Sequence, residues 1–240
     1  MFLDIHSHIL HNIDDGAKDL ETSIALLENA FAQGVTDVIL TPHFYPQIHS
    51  LQEQNEISQA RFNELNQAIK GKNVPNLYLG NELLYFKGIS HASTIEPFTL
   101  NHSSYLLLEP DYSHINKEFM DEILNLKERG YIPIIAHIER YSKEKGYKSF
   151  IKFIKANGIL TQVNATSFFS KYYNRPLKKL IKSDIATFLG SDTHSLNTRP
   201  ILIKSALDKI ALLYGKNTKQ KLIDNSQWLL SQITKKEHTV

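Results

Sequence analysis

The chain contains no cysteine, which removes disulfides, thiolate zinc sites, iron–sulfur clusters and every mechanism built on a cysteine nucleophile, the cysteine-dependent phosphatases included. It has no apolar run near the ~18 residues a membrane span requires. Its opening, MFLDIHSH, shows no basic stretch leading into an apolar one, so no secretory signal is expected and the cytoplasm is the expected compartment. Internal repeats, low-complexity tracts and Pro/Gly/Ser linkers are missing too, so residues 1–240 are expected to form a single domain. What remains is ordinary for a folded soluble chain: 240 residues, 42% hydrophobic and 22% charged. Barrels of alternating strands and helices often reach ~250 residues as one unit, so this length permits one large domain.

A strong overall charge is also lacking, since 27 Lys and Arg face 25 Asp and Glu. The balance conceals a split. Residues 1–120 hold 6 basic and 15 acidic side chains, whereas residues 121–240 hold 21 and 10. Two differently charged solvated surfaces would explain this. So would an acidic half that supplies metal ligands beside a basic half that attracts an anion.

Short apolar, often β-branched segments read as strands at residues 2–5, 37–41, 76–80, 104–109, 132–137, 159–164 and 186–191. Helical patterns lie between most of them, at 20–33, 52–70, 115–129, 147–157, 176–183 and 199–214, with one or two more from Asn217 to Lys236. The first places Leu20, Ile24, Leu27 and Phe31 on one face, with Asp19 as N-cap and Gly34 just past its end. This alternation predicts an α/β fold around a parallel sheet, either closed as a barrel or open and doubly wound.

The residues at the C-terminal ends of these strands share one chemistry. His6 and His8 follow the first strand, His43 the second and Glu82 the third; the fourth ends at Glu109 and the fifth at His137. Asp192 and His194 follow the seventh, and only the sixth ends in a weak ligand, Asn164. In a parallel α/β barrel this edge is where loops build the active site. His6-Ser7-His8 can aim both imidazoles at one ion, because residues i and i+2 of a strand point to the same side. Each histidine alone could be an ordinary hydrogen-bonded residue; the set together points to a metal site. Imidazole with carboxylate suits Mn²⁺, Fe²⁺, Zn²⁺ or Co²⁺, and the ligand count exceeds one ion. Clustered cations of this kind serve phosphate-ester hydrolysis. Arg140 and Arg199 stand beside the ligands, and a guanidinium fork matches phosphate geometry.

The motifs DIHSHIL, IDDG, LTPHF, GNELLY, LLLE, PIIAHIERY and GSDTHSLNTRP, in that order, resemble the polymerase-and-histidinol-phosphatase (PHP) superfamily. They resemble most its bacterial branch of manganese-dependent protein tyrosine phosphatases from capsule and exopolysaccharide operons, over Asp4 to about Arg199. The resemblance implies a distorted seven-stranded β/α barrel of the TIM-like, PHP type. It also implies a trinuclear centre, with up to three Mn²⁺ ions and Fe, Zn, Co or Mg as substitutes. One metal would be held by His6, His8, Glu82 and Asp192; a second would share Glu82 and add Glu109 and His137; a third would take Asp15, His43 and His194. His11 competes with Asp15 for that last position, and the D-D-G match favours Asp15. Arg140 and Arg199 would bind phosphate, with Asp192 and His194 as candidate proton donors. The implied reaction is in-line attack on phosphotyrosine by a metal-bridging hydroxide. The implied partner is a phosphotyrosine protein, a membrane-associated bacterial tyrosine kinase, with neither nucleic-acid binding nor membrane insertion.

A small-molecule phosphatase of the same superfamily, such as histidinol-phosphate phosphatase, would share the metal logic and differ in its pocket. An amidohydrolase barrel also opens with H-x-H but brings a lysine to a mid-barrel strand end, which is absent here. A nucleic-acid binder using the basic half would need a cationic stripe with interleaved aromatics, and the lysines are scattered. The aromatic run Ser167–Tyr173 reads as loop packing or as a platform for phosphotyrosine, and Trp228 as a core anchor. His49, His91, His102, His114 and His238 fit no ligand position and are expected to be surface or structural.

Overall fold

A computed structural model describes residues 2–93, 95–111 and 115–235; His114 and His238 lie outside the described residues. Nine short strands alternate with seven α-helices among them. The strands are β1 (Leu3–Asp4), β2 (Asp37–Leu40), β3 (His43–Phe44), β4 (Asn76–Leu79), β5 (Glu82–Leu84), β6 (Tyr105–Glu109), β7 (Ile132–Ile135), β8 (Leu160–Asn164) and β9 (Phe188–Gly190). The helices are α1 (Leu20–Ala32), α2 (Leu51–Ala68), α3 (Lys117–Glu128), α4 (Tyr147–Asn157), α5 (Asn174–Lys182), α6 (Ile203–Tyr214) and α7 (Lys216–Ile233).

Every strand pair is parallel, in the orders β1-β2-β4 and β3-β5-β6-β7-β8-β9. Each of the seven segments expected from the sequence holds a strand. The two extra strands arise because Thr41-Pro42 interrupts β2 and Gly80-Asn81 interrupts β4; proline cannot donate to a ladder. The short strands after those breaks begin at His43 and Glu82, which pair in register. The interruptions therefore set two polar side chains side by side at the edge. The sheet also curls back on itself. Ser7 bridges Thr193, with Asp192 N–H donating to His6 O (2.8 Å) and His8 N–H to Thr193 O (2.9 Å), so the segments after β1 and β9 run together.

Alternation sorts the apolar side chains into two cores. Leu106, Leu108, Ile135, Val163 and Leu189 pack toward the helices. Leu107, Ile134, Phe188, Leu3 and Ile39 form a second, inner cluster. At ~25 cal/mol per Å² of apolar surface, this burial is the main stabilising contribution to the rigid platform beneath the strand ends.

Capping explains most helix ends. Asp19 accepts from Thr22 N–H at 2.8 Å to start α1, and Gly34 (φ +84°) follows its end. Ser50 and Glu53 form a capping box at the start of α2. Helix α6 starts four residues later than expected, at Ile203. Pro200 disfavours helical backbone at Arg199, whose carbonyl instead accepts from His194 N–H (3.1 Å) and the Thr193 hydroxyl (2.8 Å). Two side chains expected inside are outside. The buried stripe of α1 is Ser23, Leu26, Leu27 and Ala30, and Phe31 is 45% exposed. Trp228 is 44% exposed and caps Tyr105 edge-on, while Leu229 and Ile233 enter the core.

Candidate metal centre

Six strand edges and one loop deliver metal-ligating types of side chain to a common point above the inner cluster. Glu82 stands at its middle, fully buried. Its Oε2 is 3.1 Å from His6 Nε2, 3.2 Å from His8 Nε2 and 3.0 Å from His43 Nδ1. His137 Nε2 is 2.9 Å from Glu82 Oε1 and 3.5 Å from Glu109 Oε1. Asp192 Oδ1 lies 3.6 Å from His6 Nε2 and 3.4 Å from His8 Nε2. Toward solvent, His194 Nε2 is 3.2 Å and His43 Nε2 3.8 Å from Asp15 Oδ1. The Asp15 side chain is 65% exposed, which marks the open side of the cluster. A cavity of about 540 Å³ lies there, lined by Asp14, Asp15, His194 and Arg199 among others.

Hydrogen bonding does not account for this convergence. Despite three ring nitrogens within 3.2 Å, Glu82 Oε2 has no hydrogen-bond partner, and neither do the buried His43 Nδ1 and His194 Nε2. The tautomers sharpen the point. The backbone N–H of His137 donates to Gln162 Oε1 (2.8 Å), which fixes that atom as the oxygen; His6 Nδ1, 3.1 Å away, must then carry the proton. His8 Nδ1 faces the Asp14 carboxylate at 2.7 Å and likewise carries one. With both rings neutral, the form that ligates metal, the two Nε2 atoms aim lone pairs at each other, 3.1 Å apart, and at a carboxylate oxygen. Such an arrangement is repulsive unless a cation sits among the donors. Donors each ~2.0–2.2 Å from one ion stand ~3.0–3.6 Å apart, the spacing seen here.

Three donor groups close enough to share an ion stand out among the described residues: His6–His8–Asp192, His43–Glu82–Glu109, and His8–Asp15–His43–His194. The residues present fit divalent cations. All nine residues expected at the centre, His6, His8, Asp15, His43, Glu82, Glu109, His137, Asp192 and His194, are brought to this cluster. His11 is not: it turns away to Glu64 (3.2 Å), which leaves Asp15 beside His194. His49, His91 and His102 also lie elsewhere, His102 bonding Glu96 at 2.9 Å.

Charge within the cluster follows burial and neighbours. Burial works against the Asp192 carboxylate, but His6, His8 and Arg140 hold its pKa well below the usual value. Glu109 moves the other way, pushed up to about 8 by burial first and by the Glu82 charge second. A cation between these two acids would remove that repulsion. Burial, then the Arg140 charge, lowers His137 to about 4; burial, then the His8 charge, lowers His194 to about 3. Both are neutral imidazoles at ordinary pH, the form that ligates metal.

Arg140 and Arg199 grip opposite oxygens of Asp192, Arg199 at 2.7 Å. Asn164 Nδ2 donates to the same carboxylate (2.6 Å), and Asn164 Oδ1 accepts from Gln162 Nε2 (2.7 Å). One chain of hydrogen bonds thus ties Asp192 through Asn164 and Gln162 to His6 and His137. Gln162, Asn164 and Asp14 support the donors without standing in the ligand pattern of the strand ends. Their signal was present: Gln162 and Asn164 are spaced by two on a strand, and Asp14 is the first acid of D-D-G. Asp14 also accepts from the backbone N–H of His43 and Gly16, both at 2.9 Å. Gly16 itself is required here, because a Cβ would come within 2.1 Å of His8 O. The run Ser167–Tyr173 divides: Phe168 is buried, while Phe169 and Tyr172 are exposed.

Comparison with known proteins decides the family. The model for capsular polysaccharide synthesis proteins CpsB/CapC matches residues 2–231. The chain belongs to the CpsB/CapC family. CapC of Staphylococcus aureus is 35% identical over 210 residues, 84% of this chain and 80% of that one. The tyrosine-protein phosphatase YwqE of Bacillus subtilis is 28% identical over 239 residues, 97% of this chain and 92% of its own. A crystal structure from a study of YwqE and of CpsB from Streptococcus pneumoniae, described as metal-dependent tyrosine phosphatases, superposes with a TM-score of 0.84 at 26% identity, covering 96% and 94% of the two chains. Histidinol phosphate phosphatase from Lactococcus lactis shares the fold at a TM-score of 0.55 and 14% identity, covering 90% and 93% of the two chains.

Proposed function

We propose that this CpsB/CapC chain is a metal-dependent protein tyrosine phosphatase. The observation that carries the reading is the Glu82 carboxylate, with three imidazole nitrogens within 3.2 Å and two arginines anchored beside them on Asp192. The family relatives named as tyrosine-protein phosphatases support it. His6, His8, Glu82 and Asp192 would hold one ion, Glu82, Glu109 and His137 a second, and Asp15, His43 and His194 a third, with Mn²⁺ as the expected metal. The curled parallel sheet corresponds to a distorted seven-stranded barrel, residues 1–240 act as one domain, and the protein works in the cytoplasm. Its partner is a phosphotyrosine protein, the membrane-associated tyrosine kinase of a capsule or exopolysaccharide system. Among the described residues no helix is long and apolar enough to cross a membrane.

Bound divalent cations supply Lewis acidity and lower the pKa of water from ~16 toward ~7, which provides a nucleophile at neutral pH. The chain's own residues do the rest. Arg140 and Arg199 take equatorial phosphate oxygens and stabilise their charge as the bond to the leaving group breaks. Asp192 fixes the direction of both guanidinium groups before substrate arrives. Because those arginines and the neighbouring histidines keep Asp192 ionised, it serves as an acceptor that aims them and not as the proton donor the sequence allowed. A tyrosyl group leaves with a pKa near ~10 and needs less protonation than an alkoxide.

The test is hydrolysis of a phosphotyrosine peptide beside histidinol phosphate, by protein stripped of metal and assayed with and without Mn²⁺. Metal-dependent activity on the peptide is the expected result. Activity on histidinol phosphate alone would move the chain to small-molecule chemistry.

A further inference from the structure

A second cavity, of about 600 Å³, lies outside the metal centre between α4 and α5. Its lining includes Ser142 and Lys143, two and three residues beyond Arg140 in sequence. Its floor is apolar, with Ile151, Leu180 and Ile185. Its rim carries five cations, Lys143, Lys148, Lys152, Arg175 and Lys179, and no acidic residue lines it. None of the five forms an ion pair among the described residues, unlike Lys219 and Lys221, which pair with Asp208 and Asp184. Tyr172, 67% exposed, stands at the mouth with Lys143 Nζ 5.6 Å from its ring centre. Two of the cations, Lys148 and Arg175, sit in first helical turns, where the helix dipole disfavours positive charge. Five like charges gathered without a counter-charge destabilise the free protein, and an anionic ligand would relieve that repulsion.

We infer that this cleft docks an acidic segment of the protein substrate, next to the phosphotyrosine held at the metal centre. The affinity for an acidic segment rests on the cleft alone; that the segment flanks a phosphotyrosine rests on the phosphatase reading. An apolar floor under a cationic rim matches a peptide that alternates carboxylates with apolar or aromatic side chains. A planar anionic lipid surface would meet a convex patch better than a concave cleft, so the peptide is favoured. Ser142 and Lys143 of the lining follow Arg140 by two and three residues in sequence, so a segment docked there would belong to the same chain as the scissile phosphate. The cleft would thereby lower KM for acidic substrates without touching the reacting atoms.

The test uses two phosphotyrosine peptides of equal length, flanked by glutamates or by glutamines, with the Mn²⁺-loaded protein. Wild-type KM is expected to be about tenfold lower for the glutamate peptide, with kcat unchanged and the preference fading at high salt. The triple variant K148E/K152E/K179E should lose that preference while hydrolysing p-nitrophenyl phosphate at the wild-type rate. Lys148→Gln alone should lose part of it, which guards against misfolding of the triple variant. Fluorescence anisotropy of labelled peptides reads docking independently of turnover. Equal KM for both peptides in the wild type, or a preference that survives in the triple variant, would overturn the cleft and leave the phosphatase reading intact. Glutamate-selective binding without hydrolysis of either peptide would sink the phosphatase reading and leave the cleft. Loss of binding to phosphatidylglycerol vesicles in the triple variant, with the peptide preference retained, would assign the cations to a membrane and overturn the inference.

Discussion

The inner face of the sheet and the rim just above it are built from the same strands and obey opposite rules. Below, Leu3, Ile39, Leu107, Ile134 and Phe188 fill the interior with apolar volume and need only fit. Above, His6, His8, Glu82 and Asp192 are as deeply buried, yet Glu82 Oε2, with three ring nitrogens within 3.2 Å, lacks the hydrogen bond a buried polar atom requires. The interior is satisfied by its own contacts, whereas the rim is held by a supporting ring of Asp14, Gln162 and Asn164 and would be completed by a cation. The lesson is that burial alone does not distinguish a core from a site; unpaired donors aimed at one point do.

Removing a central donor should break this contrast most completely. His6→Ala is expected to lower metal content and reduce kcat/KM by about 10³-fold, since several kcal/mol of charge stabilisation go with the ion. Elemental analysis beside the phosphotyrosine assay checks both, and a fully active, metal-replete variant would sink the assignment. Arg140→Ala should separate phosphate binding from metal binding. Turnover should fall by about 10²–10³-fold with metal content unchanged, and lost metal would refute the phosphate role. Asp14→Asn tests the supporting ring. Weaker orientation of His8 should cost about 10–100-fold in metal affinity, read by competition with a chelating dye, with secondary structure unaltered by circular dichroism.

The smallest effect is expected away from the rim. Glu122 of α3 accepts from Gly88 and Ser90 backbone N–H groups, both at 2.9 Å. Burial works against its carboxylate, but those hydrogen bonds hold its pKa below the ordinary value. Its stabilising contribution is therefore present above the unfolded pKa of ~4.3 and is lost as pH falls through the lower folded value. Glu122→Gln should cost about 1–2 kcal/mol of stability at pH 7 in urea unfolding, and the difference from wild type should shrink below about pH 4. Metal affinity should not change.

The rim was legible in the sequence because strand ends announce themselves: an apolar β-branched run stops at a His or an acid, and repetition of that event excludes coincidence. The H-x-H pair and the D-D-G turn place their side chains by local geometry alone. The supporting ring was less legible, since Gln162 and Asn164 make their contacts across the sheet to His6, His137 and Asp192. The outer layer misled in places for a related reason. Periodicity identifies α1 but does not say which side meets the sheet, so Phe31 was expected inside where Ala30 is. Trp228 was expected inside by its hydrophobic neighbours, and it lies across Tyr105 at the surface instead. The breaks at Pro42 and Gly80 were visible as residues, but that they create the short strands carrying His43 and Glu82 depends on their pairing in register.

The most direct test of a cation-dependent rim is a titration of chelator-stripped protein with Mn²⁺, following ions bound per chain and phosphotyrosine hydrolysis in the same samples. The account predicts that activity is absent at the start and rises with occupancy to a plateau at more than one ion per chain. Full activity in the stripped protein would contradict it.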